Sequence, residues 1–329
     1  MYNEAKMIYI KMLTPTHAGA GQTLQNVDMP IQRETNTNIP KIEGSSLKGS
    51  IKHSIYRLLT SERNKATNEK EKKEESVKLD TLDKIFGSED GDSASRIGFT
   101  DAKLLFFPIK SATKIYKLIT CPYILKRWID DLQYVKGCYN DNIKEIDDKI
   151  NNINEINVNE GKCISNETDN NKEKEKSQIL EEYIFDNLTI KKDKDVIADI
   201  CDVLKSNNIK TEELKERMVI LNDTDFIDLV SMYTEIITRN KIDPDLGTAE
   251  KTGLFTEEYL PTETIMYFMA LSSPEFNKNI GDKTGNPFEY LNDKLEEVFH
   301  IGGFATIGKG FVKWLNKSDF CKKESSDKL

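Results

Sequence analysis

The chain opens with an alternation of apolar and polar residues and continues with apolar residues at helical spacing. Residues 5–13 alternate and end at Pro15, which predicts a strand. Over residues 45–60 the apolar side chains recur every three or four positions, with Ser45 or Ser46 as the expected N-cap. The first sixty residues are therefore expected to form a strand, a long polar loop and a helix.

The same patterns predict further elements along the chain. They are a strand pair over 96–107 closed by Pro108, a helix over 117–135, strand and helix signals over 183–233, a β-hairpin over 234–256, a strand over 264–271, a helix over 288–299 and a Gly-rich loop entering a last strand over 301–315. Residues 61–78 are almost wholly polar, which indicates a mobile loop or a frayed helix, and residues 139–178 indicate an irregular or disordered insertion. This order of elements predicts an α+β fold of the split βαβ (ferredoxin-like) type, on which RNA-recognition modules are commonly built.

Composition and charge narrow the classes of function. The 329-residue chain contains no apolar run long enough for a membrane span, and its beginning does not resemble a signal peptide, so a cytoplasmic protein without membrane contact is expected. Five scattered cysteines without a C-x-x-C pair argue against a structural zinc site and a disulfide framework. The net charge of −9 argues against a nucleic-acid partner, but the charge is unevenly distributed. Residues 1–60 carry seven basic and four acidic side chains, whereas residues 141–199 carry nine basic and sixteen acidic side chains. The acidity therefore belongs to an inserted region.

Residues 14–49 contain the most chemically suggestive side chains. Asp28 lies in a loop and could act as a general base or metal ligand beside a phosphate, or it could be an ordinary turn residue. His17, beside Gly19 and Gly21, could exchange protons near neutral pH, although a lone histidine is more often structural.

Two glycine-containing stretches suit a phosphate backbone. Residues 44–49 open the predicted helix, and helix N-termini bind anions, although one serine there would also serve as an ordinary cap; the candidates are Gly44, Ser45, Ser46, Lys48 and Gly49. Residues 302–310 are not a Walker A loop and could equally form a tight strand turn; the candidates are Gly302, Gly303, Thr306, Gly308, Lys309 and Gly310. Two such sites suit a repeating phosphate ligand better than a single nucleotide. The hairpin over 236–255 is either an exposed loop or an arm that inserts into a partner.

Several motifs, in their order and spacing, resemble one family. They are TPTHAGAG, VDMPIQRE, IPKIEGSSLKG, RIGFTDAKLLFFP, GLFTEEYLP and IGGFATIGKG. Together they resemble the repeat-associated mysterious protein (RAMP) superfamily and, within it, the backbone subunits of the type III-B CRISPR effector, the Cmr complex. The equivalent type III-A (Csm) subunits are the nearest alternative, and the PIQRE string favours Cmr.

The resemblance implies an architecture and a set of partners. The whole chain, 1–329, would be a single RAMP domain. Its RNA-recognition-like palm would be discontinuous and consist of about 1–60, 80–120, 217–235 and 260–315. The other parts would be a polar insertion at 61–78, an acidic, partly disordered insertion at 139–215, and a thumb hairpin at 236–256. The implied partners are guide (CRISPR) RNA, target single-stranded RNA, other Cmr subunits and further copies of the chain in a helical filament.

The resemblance also implies roles for individual residues. Asp28 matches the catalytic carboxylate, which would recruit weakly bound Mg²⁺ or Mn²⁺, and His17 matches a nearby histidine. Glu257 and Tyr259 match positions in the same cleft, while Arg33, the 44–49 turn and the 302–310 loop are expected to bind RNA. The implied activity is metal-dependent cleavage of target RNA at regular intervals. A non-catalytic RNA scaffold and a metal-independent guide-processing nuclease are the alternatives.

Overall fold

The computed structural model describes residues 2–22, 27–65, 67–88, 90–91, 94–137, 144–166, 177–188, 195–274 and 284–320. Its strands are β1 (Glu4–Met12), β2 (Lys41–Ile42), β3 (Ile97–Phe99), β4 (Ala102–Lys110), β5 (Tyr116–Thr120), β6 (Lys162–Ser165), β7 (Gln178–Leu180), β8 (Tyr183–Asn187), β9 (Met218–Leu221), β10 (Glu235–Ile242), β11 (Ala249–Tyr259), β12 (Ile265–Ser272), β13 (Val298–His300) and β14 (Phe311–Trp314). Its helices are α1 (Gly44–Lys65), α2 (Glu69–Phe86), α3 (Pro122–Gly137), α4 (Lys144–Asn154), α5 (Val196–Ser206), α6 (Glu212–Arg217), α7 (Asp223–Met232) and α8 (Pro287–Lys294).

A single large sheet runs through the described part of the chain. Its main path is β13-β14-β1-β12-β4-β5-β9-β6-β8-β7, with β2 and β3 attached beside it. Within this path β14, β1, β12 and β4 are neighbours, and each adjacent pair is antiparallel. Strands β10 and β11 form a separate antiparallel hairpin. The molecule is a mixed α+β protein, as the order of elements predicted.

Buried aromatic side chains hold α3 against the sheet. Trp128 is fully buried, and its indole N–H donates to the hydroxyl of Tyr9 on β1 at 2.9 Å. Tyr267 on β12 donates to Asp131 of the same helix at 3.0 Å. Because each buried polar atom of these contacts has a partner, α3 can cover the sheet without a large desolvation cost.

The clearest predictions of the alternating and helical patterns are confirmed. The first strand, the helix after it and the strand over 264–271 appear as β1, α1 and β12. The predicted hairpin forms as β10 and β11, joined at a left-handed Gly247 with φ of 63°. Such a φ favours glycine, as expected for the tip of a hairpin.

Residues 61–65 and 69–78 of the polar stretch are helical, so of the two expected alternatives this part of the chain forms a helix and not a mobile loop. It comprises the end of α1 and most of α2, and Asn68 caps α2 by accepting a hydrogen bond from the N–H of Glu71 at 2.9 Å. Lysine and glutamate are good helix formers, and the apolar residues at the end of α2, including Leu82 and Ile85, are buried. The helix is therefore anchored at one end and exposed at the other.

The described parts of the acidic insertion are also regular, contrary to the expected irregular structure. Residues 144–154 form α4, and 162–165, 178–180 and 183–187 form β6, β7 and β8, which extend the main sheet beyond β9. Cys163 and Ile164 are buried in this extension. Residues 155–161 form a loop, and residues 139–143 and 167–176 of the expected irregular segment lie outside the described residues.

Three element boundaries differ from the sequence prediction. Pro108 lies inside β4, just beyond the point where this strand exchanges partner β12 for β5. The expected helix over 117–135 is a strand followed by a helix that begins at Pro122, a favoured first helical residue. The expected helix over 288–299 ends at Lys294, and β13 follows. No helix among the described residues is long and apolar enough to cross a bilayer.

Candidate functional site

Three segments that are distant in sequence meet at the base of the hairpin. The end of β11 lies beside two loop segments, residues 16–20 and residues 28–33. Thr16 and Leu260 exchange two backbone hydrogen bonds of 2.9 Å, and Met29 donates to a β11 carbonyl at 3.0 Å. The two loop segments also pair with each other. As a result, candidate residues from both loops are attached to the same strand.

Asp28 is an exposed carboxylate that is fixed to β11 by one residue. Its Oδ2 accepts from the Thr256 N–H at 2.7 Å and from the Thr256 hydroxyl at 2.9 Å. The Asp28 N–H donates to the same hydroxyl oxygen at 3.0 Å. The backbone hydrogen bond from Thr256, followed by its side-chain bond, holds the pKa of Asp28 below its usual value. Asp28 is therefore an ionised carboxylate with a defined orientation.

His17 is buried and held on three sides. Its Nδ1 lies 2.7 Å from the carbonyl oxygen of Glu258, and its ring lies 5.7 Å from that of Tyr259 and 5.2 Å from that of Phe304. A carbonyl oxygen only accepts, so Nδ1 carries the proton and Nε2 holds the lone pair of the neutral ring. A Cβ at Gly19 would approach Nε2 to 2.6 Å, so glycine keeps this nitrogen uncovered.

Arg33 is engaged within the chain, and its expected role in RNA binding stays a prediction. One guanidinium nitrogen pairs with Glu258 and another donates to the carbonyl of Asn38 at 2.9 Å. Glu258 is 5% exposed and also accepts from the Ile31 N–H at 3.0 Å and the Thr234 hydroxyl at 2.7 Å. Arg33 and Glu258 thus join the second loop segment to β11.

Glu257 and Tyr259 form a buried cluster on the opposite face of β11 from Thr256. Both are 0% exposed, and the Tyr259 hydroxyl donates to Glu257. Arg239 lies 3.3 Å from the same carboxylate, and Lys309 lies 4.8 Å from the Tyr259 ring. Burial, followed by the bond to Glu257, raises the pKa of Tyr259, so its hydroxyl remains protonated. Their part in catalysis stays a prediction, and their burial favours a positioning role.

The Gly-rich loop uses many of its N–H groups within the chain. Besides the N–H of Ile307, four of them donate to backbone carbonyls, namely those of Gly303, Gly308, Lys309 and Gly310. A Cβ at Gly302, where φ is 81°, would lie 2.1 Å from the His17 carbonyl oxygen. The glycines therefore let the loop pack against the His17 segment, and in this conformation the four N–H groups do not face a phosphate. Thr306 is exposed, and the loop's contact with RNA stays a prediction.

The first turn of α1 differs from the expected serine cap. The helix begins at Gly44, whose N–H donates to Asp101 at 2.8 Å, so both serines lie inside the helix. The Ser46 hydroxyl accepts from the Gln32 amide at 3.2 Å, and Ser45 is exposed. Asp101, distant in sequence, thus supplies the contact that the serines were expected to make.

Lys48 is a partly buried cation without a partner among the described residues. Burial, and then the charge of Lys52, lowers the pKa of Lys48. Lys52 is paired with Asp83 at 2.8 Å, whereas no hydrogen bond or ion pair joins Lys48 to a described residue. Gly49, next to it, is exposed. An unpaired, partly desolvated ammonium group favours an anionic ligand.

A groove of about 830 Å³ separates α1 from the Gly-rich loop. The α1 wall includes Gly49, His53 and Arg57, and the facing wall includes His300, Gly302 and Thr306. A shallower depression of about 400 Å³ continues along α1 as far as Lys65. The groove thus unites three of the predicted RNA-binding positions, namely Gly49, Gly302 and Thr306.

Sequence reasoning missed several residues of the site. His53 and Arg57 follow Gly49 at intervals of four on α1, and this helical spacing is a signal that the sequence does contain. Thr256, Arg239 and Phe304 carried no signal, because each acts on a residue that is distant in sequence.

The described residues contain no group of three or more His, Cys, Asp or Glu side chains placed to hold a metal. A single exposed carboxylate, Asp28, fits only a weak ion site. Mg²⁺ is commonly held by one or two carboxylates together with substrate phosphates, and Asp28 matches the protein's share of such a site.

Comparison with known proteins agrees with these features. The RAMP superfamily profile matches residues 9–313. The chain is 33% identical to the "CRISPR system Cmr endoribonuclease Cmr4" of Pyrococcus furiosus, over 94% of this chain and 95% of that protein. The crystal structure of oligomeric Cmr4 from the same organism aligns at a TM-score of 0.65 and 28% identity, over 94% of this chain and 96% of that one.

A subunit of the type III-B Cmr-beta complex, determined by cryo-electron microscopy in the apo state, aligns at a TM-score of 0.69 and 25% identity, over 95% of this chain and 98% of that one. The superfamily match and the relative of nearly equal length both cover most of the sequence. The chain therefore belongs to the RAMP superfamily.

Proposed function

We propose that this chain is the repeating backbone subunit of a type III-B CRISPR ribonucleoprotein, and that it cleaves target RNA complementary to a bound guide. The observation that carries the proposal is Asp28, an exposed and oriented carboxylate that is hydrogen-bonded to the strand that also holds His17. The 33% identity to a Cmr endoribonuclease over 94% of the chain supports the same activity. A type III-A subunit is the nearest alternative of the same architecture.

The palm is proposed to be RNA-recognition-like. The strand order β14-β1-β12-β4 supports this proposal, with α1 between β1 and β4 and α8 between β12 and β14. A βαββαβ chain with alternate strands inserted between parallel ones produces this arrangement. The other elements would be insertions into one domain spanning 1–329.

The groove along α1 is proposed to hold the guide RNA backbone. Arg57 lines the groove and Lys48 lies next to its wall residue Gly49; both would contact phosphates, since neither has an ion pair with a described residue. Thr306 and the exposed surface of the Gly-rich loop form the facing wall. Backbone contacts of this kind give affinity without sequence preference, which suits a subunit that must accept any guide.

The hairpin is proposed to act as the thumb that separates guide and target nucleotides. Its exposed apolar side chains include Ile236, Ile242, Leu246 and Leu254. Apolar side chains can wedge between bases and unstack them. The Asp28 loop is bonded to the same hairpin, so a displaced target nucleotide would lie beside the carboxylate.

The proposed reaction is attack of a ribose 2′-hydroxyl on the adjacent phosphorus. The P–O5′ bond breaks, and the products are a 2′,3′-cyclic phosphate and a 5′-hydroxyl end. Asp28 would orient the nucleophile, and His17 Nε2 would accept or return a proton, since its Nδ1 proton is held by the Glu258 carbonyl. A divalent ion, Mg²⁺ or Mn²⁺, would supply charge stabilisation at the phosphate, with Asp28 as its ligand among the described residues.

The proposed assembly contains guide RNA, other Cmr subunits and further copies of this chain stacked as a helical filament. Head-to-tail contacts that do not close a ring produce such filaments. A cytoplasmic location is proposed with it, because guide and target RNA are found there.

The test replaces Asp28 in the reconstituted ribonucleoprotein. Asp28→Asn keeps the shape of the side chain and removes its charge. We expect loss of target cleavage by about a hundredfold or more, with target binding retained. Unchanged cleavage would instead favour a non-catalytic RNA scaffold.

A further inference from the structure

We infer that Thr256 is the residue that positions Asp28 for the reaction, and that its hydroxyl does so by bonding the Asp28 backbone and carboxylate at once. The inference rests on the proposed function, because it assigns a role within the same site. Thr256 would be a positioning residue on the thumb strand, and Thr256 does not itself touch the reacting atoms.

The geometry is a closed set of hydrogen bonds between two residues. The Thr256 hydroxyl accepts from the Asp28 N–H at 3.0 Å and donates to Oδ2 at 2.9 Å. The Thr256 N–H donates to the same Oδ2 at 2.7 Å. A hydroxyl can donate and accept simultaneously, and few other side chains of this size can make both contacts.

An exposed carboxylate needs such a support. Asp28 lies on the surface, so no packing against neighbours selects its rotamer. Reacting groups must be held close to the productive geometry, and a displacement of about 1 Å can lower a rate by about a hundredfold. The bonds to Thr256 supply this restraint at a position where burial cannot.

The same contacts join the carboxylate to the thumb. Thr256 lies on β11, and its carbonyl accepts from the Met29 N–H at 3.0 Å, next to Asp28. Thr238 of β10 is its register partner, so the Asp28 loop is attached to a continuous two-stranded ribbon. A thumb that displaces a nucleotide therefore carries the carboxylate with it.

The test compares two substitutions of Thr256 in the reconstituted complex. Thr256→Val keeps the branched shape and the backbone N–H but removes the hydroxyl, whereas Thr256→Ser keeps the hydroxyl. Cleavage of a synthetic RNA complementary to the loaded guide is measured under single-turnover conditions at saturating protein, together with the dissociation constant of that RNA.

We expect Thr256→Val to cleave at least about tenfold more slowly with an unchanged dissociation constant. Thr256→Ser is expected to remain within about threefold of the wild-type rate. Thr262 lies just beyond β11 and has no hydrogen bond to Asp28, so Thr262→Val controls for the effect of a threonine-to-valine substitution as such. Thermal unfolding of each purified chain verifies that the variants are folded.

Two results would overturn the inference. Wild-type cleavage by Thr256→Val would show that the hydroxyl is dispensable, and equal losses in the valine and serine variants would indicate a strand effect. Asp28→Asn in the same assay separates this failure from that of the proposed function. If Asp28→Asn abolishes cleavage while Thr256→Val does not, the activity stands and only the role of Thr256 is lost.

Discussion

His17 owes its chemistry to groups that surround it. The Glu258 carbonyl holds the Nδ1 proton, and the rings of Tyr259 and Phe304 prevent the imidazole from turning. The nitrogen that remains for proton transfer is Nε2, next to Gly19. Glycine at this position therefore has a chemical reason as well as a conformational one.

Gly19→Ala tests the role of Nε2. The new Cβ would lie 2.6 Å from this nitrogen, and the fixed ring cannot move away without losing its contacts. We expect target cleavage to fall by at least about tenfold while target binding persists, because general acid–base catalysis contributes about a hundredfold or more. Gly21→Ala controls for backbone strain without the contact, since its φ of 100° disfavours alanine but a Cβ there meets no atom of the described residues within 4 Å. Equal activity of the two variants would argue against proton transfer at Nε2.

Some of the site could be predicted from the types of single residues, but the ion pair of Arg33 could not. The types of Asp28, His17 and Lys48 indicate their chemistry without a structure. Arg33 has the positive charge expected of a residue that binds phosphate, but its partner Glu258 lies 225 positions away in sequence. Only the fold brings the two together, so residue type alone does not show this ion pair.

Among the elements, those with one apolar face could be predicted and those with mixed signals could not. Strand β1 and helix α1 have regular periods, and both were located from the sequence. Strand β5 and helix α3 follow each other without a polar break, so the pattern merged them into one helix. Helix α2 begins with a polar surface that has no period, and its capping by Asn68 was overlooked.

The Gly-rich loop is predicted to depend on close packing at one glycine and on conformation at another. Gly302→Ala adds a Cβ 2.1 Å from the His17 carbonyl oxygen, whereas a Cβ at Gly308 meets no atom of the described residues within 4 Å. Both have a φ near 80°, namely 81° and 77°. We expect Gly308→Ala to lower the free energy of unfolding by roughly 1 kcal/mol and Gly302→Ala by about 3 kcal/mol. Denaturant titration of the purified chain measures both, and equal values would contradict the contact.

The groove along α1 predicts a difference between two arginines of the same helix. Arg57 lines the groove, and Arg63, six residues or about 1.7 turns further along, does not. We expect Arg57→Ala to weaken the binding of guide RNA. The slope of the logarithm of the binding constant against the logarithm of the salt concentration should become shallower by about one unit. Arg63→Ala should change neither. Filter binding at several salt concentrations measures both quantities, and identical slopes would place the RNA elsewhere.

At the scale of the whole molecule, the net charge sets a limit on how RNA is bound. The chain carries −9 overall, so long-range attraction does not draw RNA to a single copy. The local excess of cations in residues 1–60 provides only a few phosphate contacts per copy. High affinity then requires that several copies share one RNA, because each further contact is made at a high effective concentration.

The affinity of this chain for RNA should therefore rise steeply with RNA length. An RNA that accommodates one copy should bind at about the micromolar level or more weakly, and one that accommodates several should bind at least about a hundredfold more tightly. Sedimentation with a series of RNA lengths would measure affinity and stoichiometry together, with Arg57→Ala as a variant that weakens every copy. Because the losses of linked copies multiply, this variant should lose more affinity on long RNA than on short RNA. An affinity independent of length would mean that each copy binds alone.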